Sequence, residues 1–223
     1  MKVLAREKGV SITAYLSALL VYSIYEKNYK YTNSNEPISI CIPVNLRNYF
    51  PSVSLNNFFS TIIISVDLST CVKSFDEILD IVFLKIKEEL REDVLLSKFQ
   101  FFVSLQQNIM LRVIPLFVKN FLLRSVYSVV SNRGATAAFS NLGIIKMPNE
   151  ISNYIDKFDV ITYNDYSSPI KVGIVSYEDK LSIAFSSVIE DSEIQKGFFT
   201  ILSKNNVEVK IASSIVDQER GDK

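Results

Sequence analysis

The chain has 223 residues, 48% of them hydrophobic, with 24 basic side chains balanced by 24 acidic ones and no histidine. A neutral chain with scattered basic residues has no electrostatic footprint for nucleic acid, so nucleic-acid binding is set aside, and the apolar content suffices for a packed core and excludes a disordered chain. Without imidazole the easiest general base near neutral pH and the commonest metal ligand are both missing, which closes Ser-His-Asp, Cys-His and zinc-histidine chemistry within these residues.

Met1 to Lys8 reads as helical up to Gly9, and its early charges with no apolar stretch before a small-residue cleavage site give no secretory signal. Ser11 then caps a helix expected from about Ile12 to Lys27, with Ile12, Tyr15, Leu16, Leu19, Leu20 and Ile24 on one face. After the polar loop Asn28 to Pro37, the alternating Ile38, Ile40, Ile42 and Val44 predict a strand, and a second β-rich run spans Phe58 to Leu68. Ser74-Phe75-Asp76-Glu77 is a capping box, starting a helix with Phe75, Ile78, Leu79, Val82, Ile86 and Leu90 on one face.

Leu95 to Val130 is expected to form two helices broken near Val113–Pro115, because proline lacks the N–H that a continuing helix needs. Val113 to Val130 is the most apolar stretch, yet Pro115, Lys119 and Arg124 interrupt it, so it fails as a membrane-spanning helix. Two readings of it remain: a helix mostly buried in the protein, which we prefer, and an interfacial amphipathic helix making peripheral membrane contact. Short strands come next at Thr136 to Leu142, Val160 to Tyr163, Lys171 to Tyr177 and Leu181 to Val188, the last two joined by a tight hairpin at Glu178-Asp179. A helix from about Asp191 to Lys204 and a last strand with Val207, Val209 and Ile211 on one face precede a polar tail from about 213 to 223.

The expected fold is α/β or α+β, a mixed β-sheet flanked by helices in a single unit over residues 1–223. Cys41 and Cys71 lie in apolar or strand-like surroundings and are read as free buried thiols, in keeping with a cytoplasmic location. Asp156, Asp159 and Asp165 have no metal-binding or paired-acid spacing and are read as a solvated loop, so no metal site is expected.

Periodicity does not explain a strand running into Ile42-Pro43-Val44-Asn45-Leu46-Arg47, with Tyr49-Phe50-Pro51, Asn56-Asn57-Phe58-Phe59 and Phe139-Ser140-Asn141-Leu142-Gly143 further along the chain. With the helix start Ser11-Ile12-Thr13-Ala14-Tyr15-Leu16, these words in this order resemble the C-terminal half of bacterial alcohol acetyltransferase-like proteins. A looser likeness extends to wax ester synthases and condensation domains, within the chloramphenicol acetyltransferase-like superfamily of coenzyme A-dependent acyltransferases. The likeness runs from about Leu4 to Ile211.

The resemblance implies a two-halved fold with the active site in a tunnel between the halves, and a His-His-x-x-x-Asp motif on the N-terminal half as the base. That motif is absent from this sequence. By its place in the motif Ser140 is the candidate oxyanion donor, and Asn45, Arg47, Asn57, Asn141 and Gly143 are candidate substrate or cofactor contacts. Each has a structural alternative: Arg47 either orients a carboxylate or phosphate or ties a strand end to acids and carbonyls, Asn45 and Asn57 either touch substrate or hold loops, and Gly143 either lines the tunnel or supplies a turn. The implied co-substrate is acyl-coenzyme A, with a small alcohol as acceptor. The expected partner is the missing N-terminal half or, through the exposed half-tunnel face, a second copy of the chain. A non-catalytic binding or interaction module of the same fold is the alternative.

Overall fold

The computed structural model describes residues 1–29, 36–53, 55–68, 74–109, 113–120, 135–163 and 168–213. Helix α1 (Lys2–Glu7) ends in a Schellman turn: the Gly9 N–H donates to the Arg6 carbonyl and the Val10 N–H to the Ala5 carbonyl, each at 2.9 Å. Gly9 takes φ 69°, where a Cβ would be strained. In α2 (Ile12–Ile24) Ser11 Oγ accepts from the Ala14 N–H at 3.1 Å, the cap expected from the sequence. Every residue from Ala14 to Val21 is buried, so the one-face expectation is too narrow. The helix is central, packed against α3 (Phe75–Glu89), the last helix α5 (Glu193–Lys204) and strand β1 (Ile38–Asn45), which cover its other sides too. Its α-helical bonding stops at Ile24 and a π turn, Tyr25–Tyr29, replaces the expected continuation to Lys27.

The capping box of α3 forms as expected. The Ser74 N–H donates to the Glu77 carboxylate at 2.7 Å and the Glu77 N–H donates to Ser74 Oγ at 3.3 Å. Two otherwise orphaned donors are satisfied by one side-chain exchange, and Ser74→Ala removes one bond and loosens the other. We expect this substitution to cost about 1 kcal/mol, seen as a lower urea midpoint at unchanged slope; an unchanged midpoint would mean that packing alone fixes this helix start.

Helix α4 (Glu92–Gln107) is held toward the sheet by an edge-on contact between Phe58 and Phe99. The break expected near Pro115 is present, with residues 116–120 helical after it. The rest of the predicted second helix, residues 121–130, lies outside the described residues, as do Cys71 and Asp165.

Strands β1, β2 (Phe59–Val66), β3 (Ala137–Ile145), β4 (Ile170–Tyr177) and β5 (Lys180–Ser187) form one sheet in the order β2-β1-β3-β4-β5. β1–β3 and β3–β4 are parallel, the two outer pairs antiparallel, which is the mixed sheet expected. Strand alternation sorts the side chains. Ile38, Ile40 and Ile42, Ile62, Ile64 and Val66, Ala137 and Phe139, and Ile170, Val172 and Ile174 are buried on the helix-covered face. Phe185 continues this face onto Phe198 and Phe199 of α5.

Two predicted strands are not strands. Val160 to Tyr163 joins no ladder and instead runs across the sheet's second face, the Val160 carbonyl lying against Gly173. Val207 to Ile211 keeps the predicted alternation only in part, with Val207 and Val209 partly buried against the core but Ile211 69% exposed, and it pairs with no described strand. One-sided burial, which the alternation reports, does not require a ladder partner. The Glu178-Asp179 hairpin is as expected, Glu178 adopting φ 52° between the paired Tyr177 and Lys180.

Candidate active site

β1 and β3 are parallel neighbours that pair only at Ile40–Ala137 and Cys41–Ala138. Both continue further in the same direction, β1 to Asn45 and β3 to Ile145, without bonding each other. The β1–β3 ladder is thus open toward the carboxyl ends of both strands, a notch in strand pairing at the end of the sheet where open α/β sheets bind ligands. All the candidate residues gather at this end of the sheet. Asn45 and Arg47 leave β1, Asn57 precedes β2, whose Phe59 pairs with Asn45, and Ser140, Asn141 and Gly143 belong to β3.

Asn45 Oδ1 accepts from the Arg47 N–H at 3.1 Å and opens a 3-10 turn, Leu46–Asn48, anchored by buried Leu46. The Arg47 guanidinium donates to the Asn56 carbonyl at 2.7 Å and stands 5.9 Å from the centre of the Phe58 ring. Of its two sequence readings, these contacts serve loop holding: they tie the exit of β1 to the entry of β2. Asn57 is exposed in that loop.

On β3, buried Phe139 points to the helices, so the half-buried Ser140 points to the opposite face, which the described helices leave largely uncovered. Asn141 shapes the exit of the strand. Its amide donates to Thr13 Oγ1 at 3.1 Å, and its Oδ1 accepts from the Gly143 N–H at 2.8 Å. Gly143 takes φ 76°, and the β3–β4 register shifts between Asn141 and Ile144. Asn141 thus closes a bulge and pins it to the first turn of α2, and the bulge needs glycine at position 143. Thr13, which holds Asn141, enters the sequence reading only as part of the helix-start motif, and Gly173, the register partner of Ser140, does not enter it as a site residue. A lone glycine in a strand does signal close backbone approach; nothing local marks Thr13.

Cys41 lies on the same face as Ser140, one strand away. Burial pushes its thiol above the usual range, so at neutral pH it stays protonated and is a poor nucleophile. Asp156 and Asp159, expected to be merely solvated, are exposed but paired, with Lys180 and Lys157 respectively. Among the described residues no group of three or more Asp, Glu or Cys side chains is placed to hold a metal ion, and no helix is long and apolar enough to cross a membrane. A serine hydroxyl on the strand face opposite the core is chemically suited to donating a hydrogen bond to developing negative charge.

Two solved structures resemble this fold. Polyketide synthase associated protein 5 from Mycobacterium tuberculosis is 12% identical with a TM-score of 0.53, the match covering 93% of this chain and 49% of that one. A structure describing condensation domain-mediated chain release from the enacyloxin polyketide synthase is 10% identical with a TM-score of 0.48, covering 96% of this chain and 41% of that one. The chain thus spans less than half the length of either. No curated protein matches the sequence significantly. The sequence pattern of the alcohol acetyltransferase family matches residues 1–203, and so takes in α2, the Pro-Val-Asn-Leu-Arg exit of β1 and the Ser-Asn-Leu-Gly bulge of β3 together. On that match, the chain belongs to the alcohol acetyltransferase family.

Proposed function

We propose that these residues form one wall of the substrate tunnel of an acyl-coenzyme A-dependent O-acyltransferase, with Ser140 as an oxyanion donor. The observation that carries the reading is the placement of Ser140 on the uncovered sheet face, beside the notch where β1 and β3 cease to pair. In the reaction, an alcohol oxygen attacks the thioester carbonyl while a base takes its proton; the carbonyl oxygen becomes an oxyanion, then the C–S bond breaks and the coenzyme A thiolate leaves. Ser140 Oγ–H donates to the oxyanion. The base comes from a histidine-bearing half, because the 223 residues have no imidazole. Asn45, Arg47, Asn141 and Gly143 fix the two strand exits that border the notch, and Asn57 offers an exposed amide at its mouth to the acyl-coenzyme A or the alcohol.

The missing histidine also favours a second reading, a non-catalytic binding module of the same fold, and one experiment separates them. The purified 223-residue chain is expected to transfer no acetyl group from acetyl-coenzyme A to simple alcohols, and co-expression with the histidine-bearing half of a family relative is expected to produce transfer. Turnover by the chain alone above a heat-killed control would overturn the requirement for an external base. A stable complex that binds acetyl-coenzyme A without turnover would favour the module.

A further inference from the structure

Residues 149–163, which open with a helical turn at Asn149–Ser152, cross the sheet face that the described helices α1–α5 leave uncovered, and they are fastened over its β4–β5 half. The Tyr177 hydroxyl donates to the Ser152 carbonyl at 3.2 Å, and the Phe158 ring meets Tyr177 edge-on at 5.1 Å. Lys180 bonds the Asp156 carboxylate and, at 3.3 Å, its carbonyl. The Ser182 hydroxyl donates to one Asp159 oxygen while Lys157 pairs with the other at 2.7 Å. These cations and this hydroxyl hold both carboxyls below the usual carboxylate range, Asp156 through Lys180 and Asp159 through Lys157 and then Ser182.

The segment also rests on the strand itself. A Cβ on Gly173 would overlap the Val160 carbonyl oxygen and stand 3.1 Å from Val160 Cγ1 and 3.2 Å from its carbonyl carbon, so only glycine leaves room for this approach. Beneath the strap Val175 and Tyr177 are 1% and 3% exposed, whereas Ile63, across the same face on β2, is 56% exposed. Exposure on this face rises from buried Gly173 on β4, through its half-buried register partner Ser140 on β3, to Ile63 on β2.

We propose that this strap is a fixed side wall of the acyl-transfer notch and that Gly173 is a positioning residue, setting how closely the wall approaches Ser140 and so how bulky an acceptor alcohol is admitted. The proposal rests on the reading of Ser140 given above. A side chain at position 173 must lift the Val160 main chain off the strand, and the wall retreats with it.

The test reads the notch without turnover. In a Cys41→Ser, Cys71→Ser background, Ser140→Cys is labelled with a small methanethiosulfonate and with a bulky maleimide. Adding Gly173→Ala is expected to raise the bulky-reagent rate several-fold while leaving the small-reagent rate unchanged. Loosening the strap with Lys180→Ala and Asp159→Asn, which touch only exposed pairs, should do the same and decides the matter if Gly173→Ala fails to fold. Equal bulky-reagent rates in protein that melts cooperatively would place the strap away from Ser140 and overturn the proposal. In an enzyme completed by a histidine-bearing half, Gly173→Ala should lower KM for branched alcohols relative to small ones. A complete lack of turnover there would count against the acyl-transfer reading while the labelling result still judged the strap.

Discussion

Ser140→Ala is expected to lower the turnover number about 10²–10³-fold in an enzyme completed by a histidine-bearing half, with KM nearly unchanged. The asymmetry comes from when the bond matters. A hydroxyl aimed at the carbonyl oxygen binds the neutral thioester weakly and the oxyanion strongly, so its loss falls on the transition state more than on the bound substrate. The loss corresponds to roughly 2.7–4 kcal/mol where the site depends on one donor, and to less where backbone amides share the oxyanion. Steady-state kinetics with acetyl-coenzyme A and a simple alcohol measure it. A folded variant with unaltered turnover would reduce Ser140 to a strand residue at the edge of the notch.

Its neighbour should behave in the opposite way. Phe139 points to the other side of β3, is 0% exposed, and stands beside Val172 of β4 under the central helices. Phe139→Ala removes a ring that close-packed neighbours fill only in part, with an expected cost of about 3–5 kcal/mol. That is a large share of the roughly 5–15 kcal/mol typical of a folded domain. Urea unfolding followed by far-UV circular dichroism should show a much lower midpoint. A loss below about 1 kcal/mol would mean that the core around β3 relaxes into the space, contrary to its packing. Two adjacent residues are thus expected to separate the roles of the two faces, one substitution acting on stability and the other on turnover.

Much of the framework was legible because its causes are local. Ser11 and Ser74 bond within the next turn of chain, so their caps can be read from residues three positions apart. The alternation in Ile38–Val44 and Leu181–Val188 reports strands, and both form, β1 with one face buried and β5 half-buried on both because the strap covers its second face. The same signal misled at Val160–Tyr163 and Val207–Ile211, since burial on one side of an extended segment is satisfied by a strap or a tail lying on the core as well as by a ladder. The helical face read for α2 was likewise incomplete, because whether a helix is covered on its other sides depends on which elements flank it.

The sequence by itself determined where the capped helices α2 and α3 begin, the strand at Ile38–Val44, the absence of an imidazole base, and the motif residues Asn45, Arg47, Asn57, Ser140, Asn141 and Gly143. Tertiary structure alone decided how they work together. The Asn141 amide finds Thr13 across 128 positions of chain, and the Val160 carbonyl lies on Gly173 because the segment before β4 folds back over it. Such contacts depend on sheet order and register, which no local pattern encodes: only when β3 lies between β1 and β4 does Ser140 come to lie beside both β1 and Gly173, on which the strap rests. Capping and alternation are set by neighbours along the chain, and the site by neighbours across it.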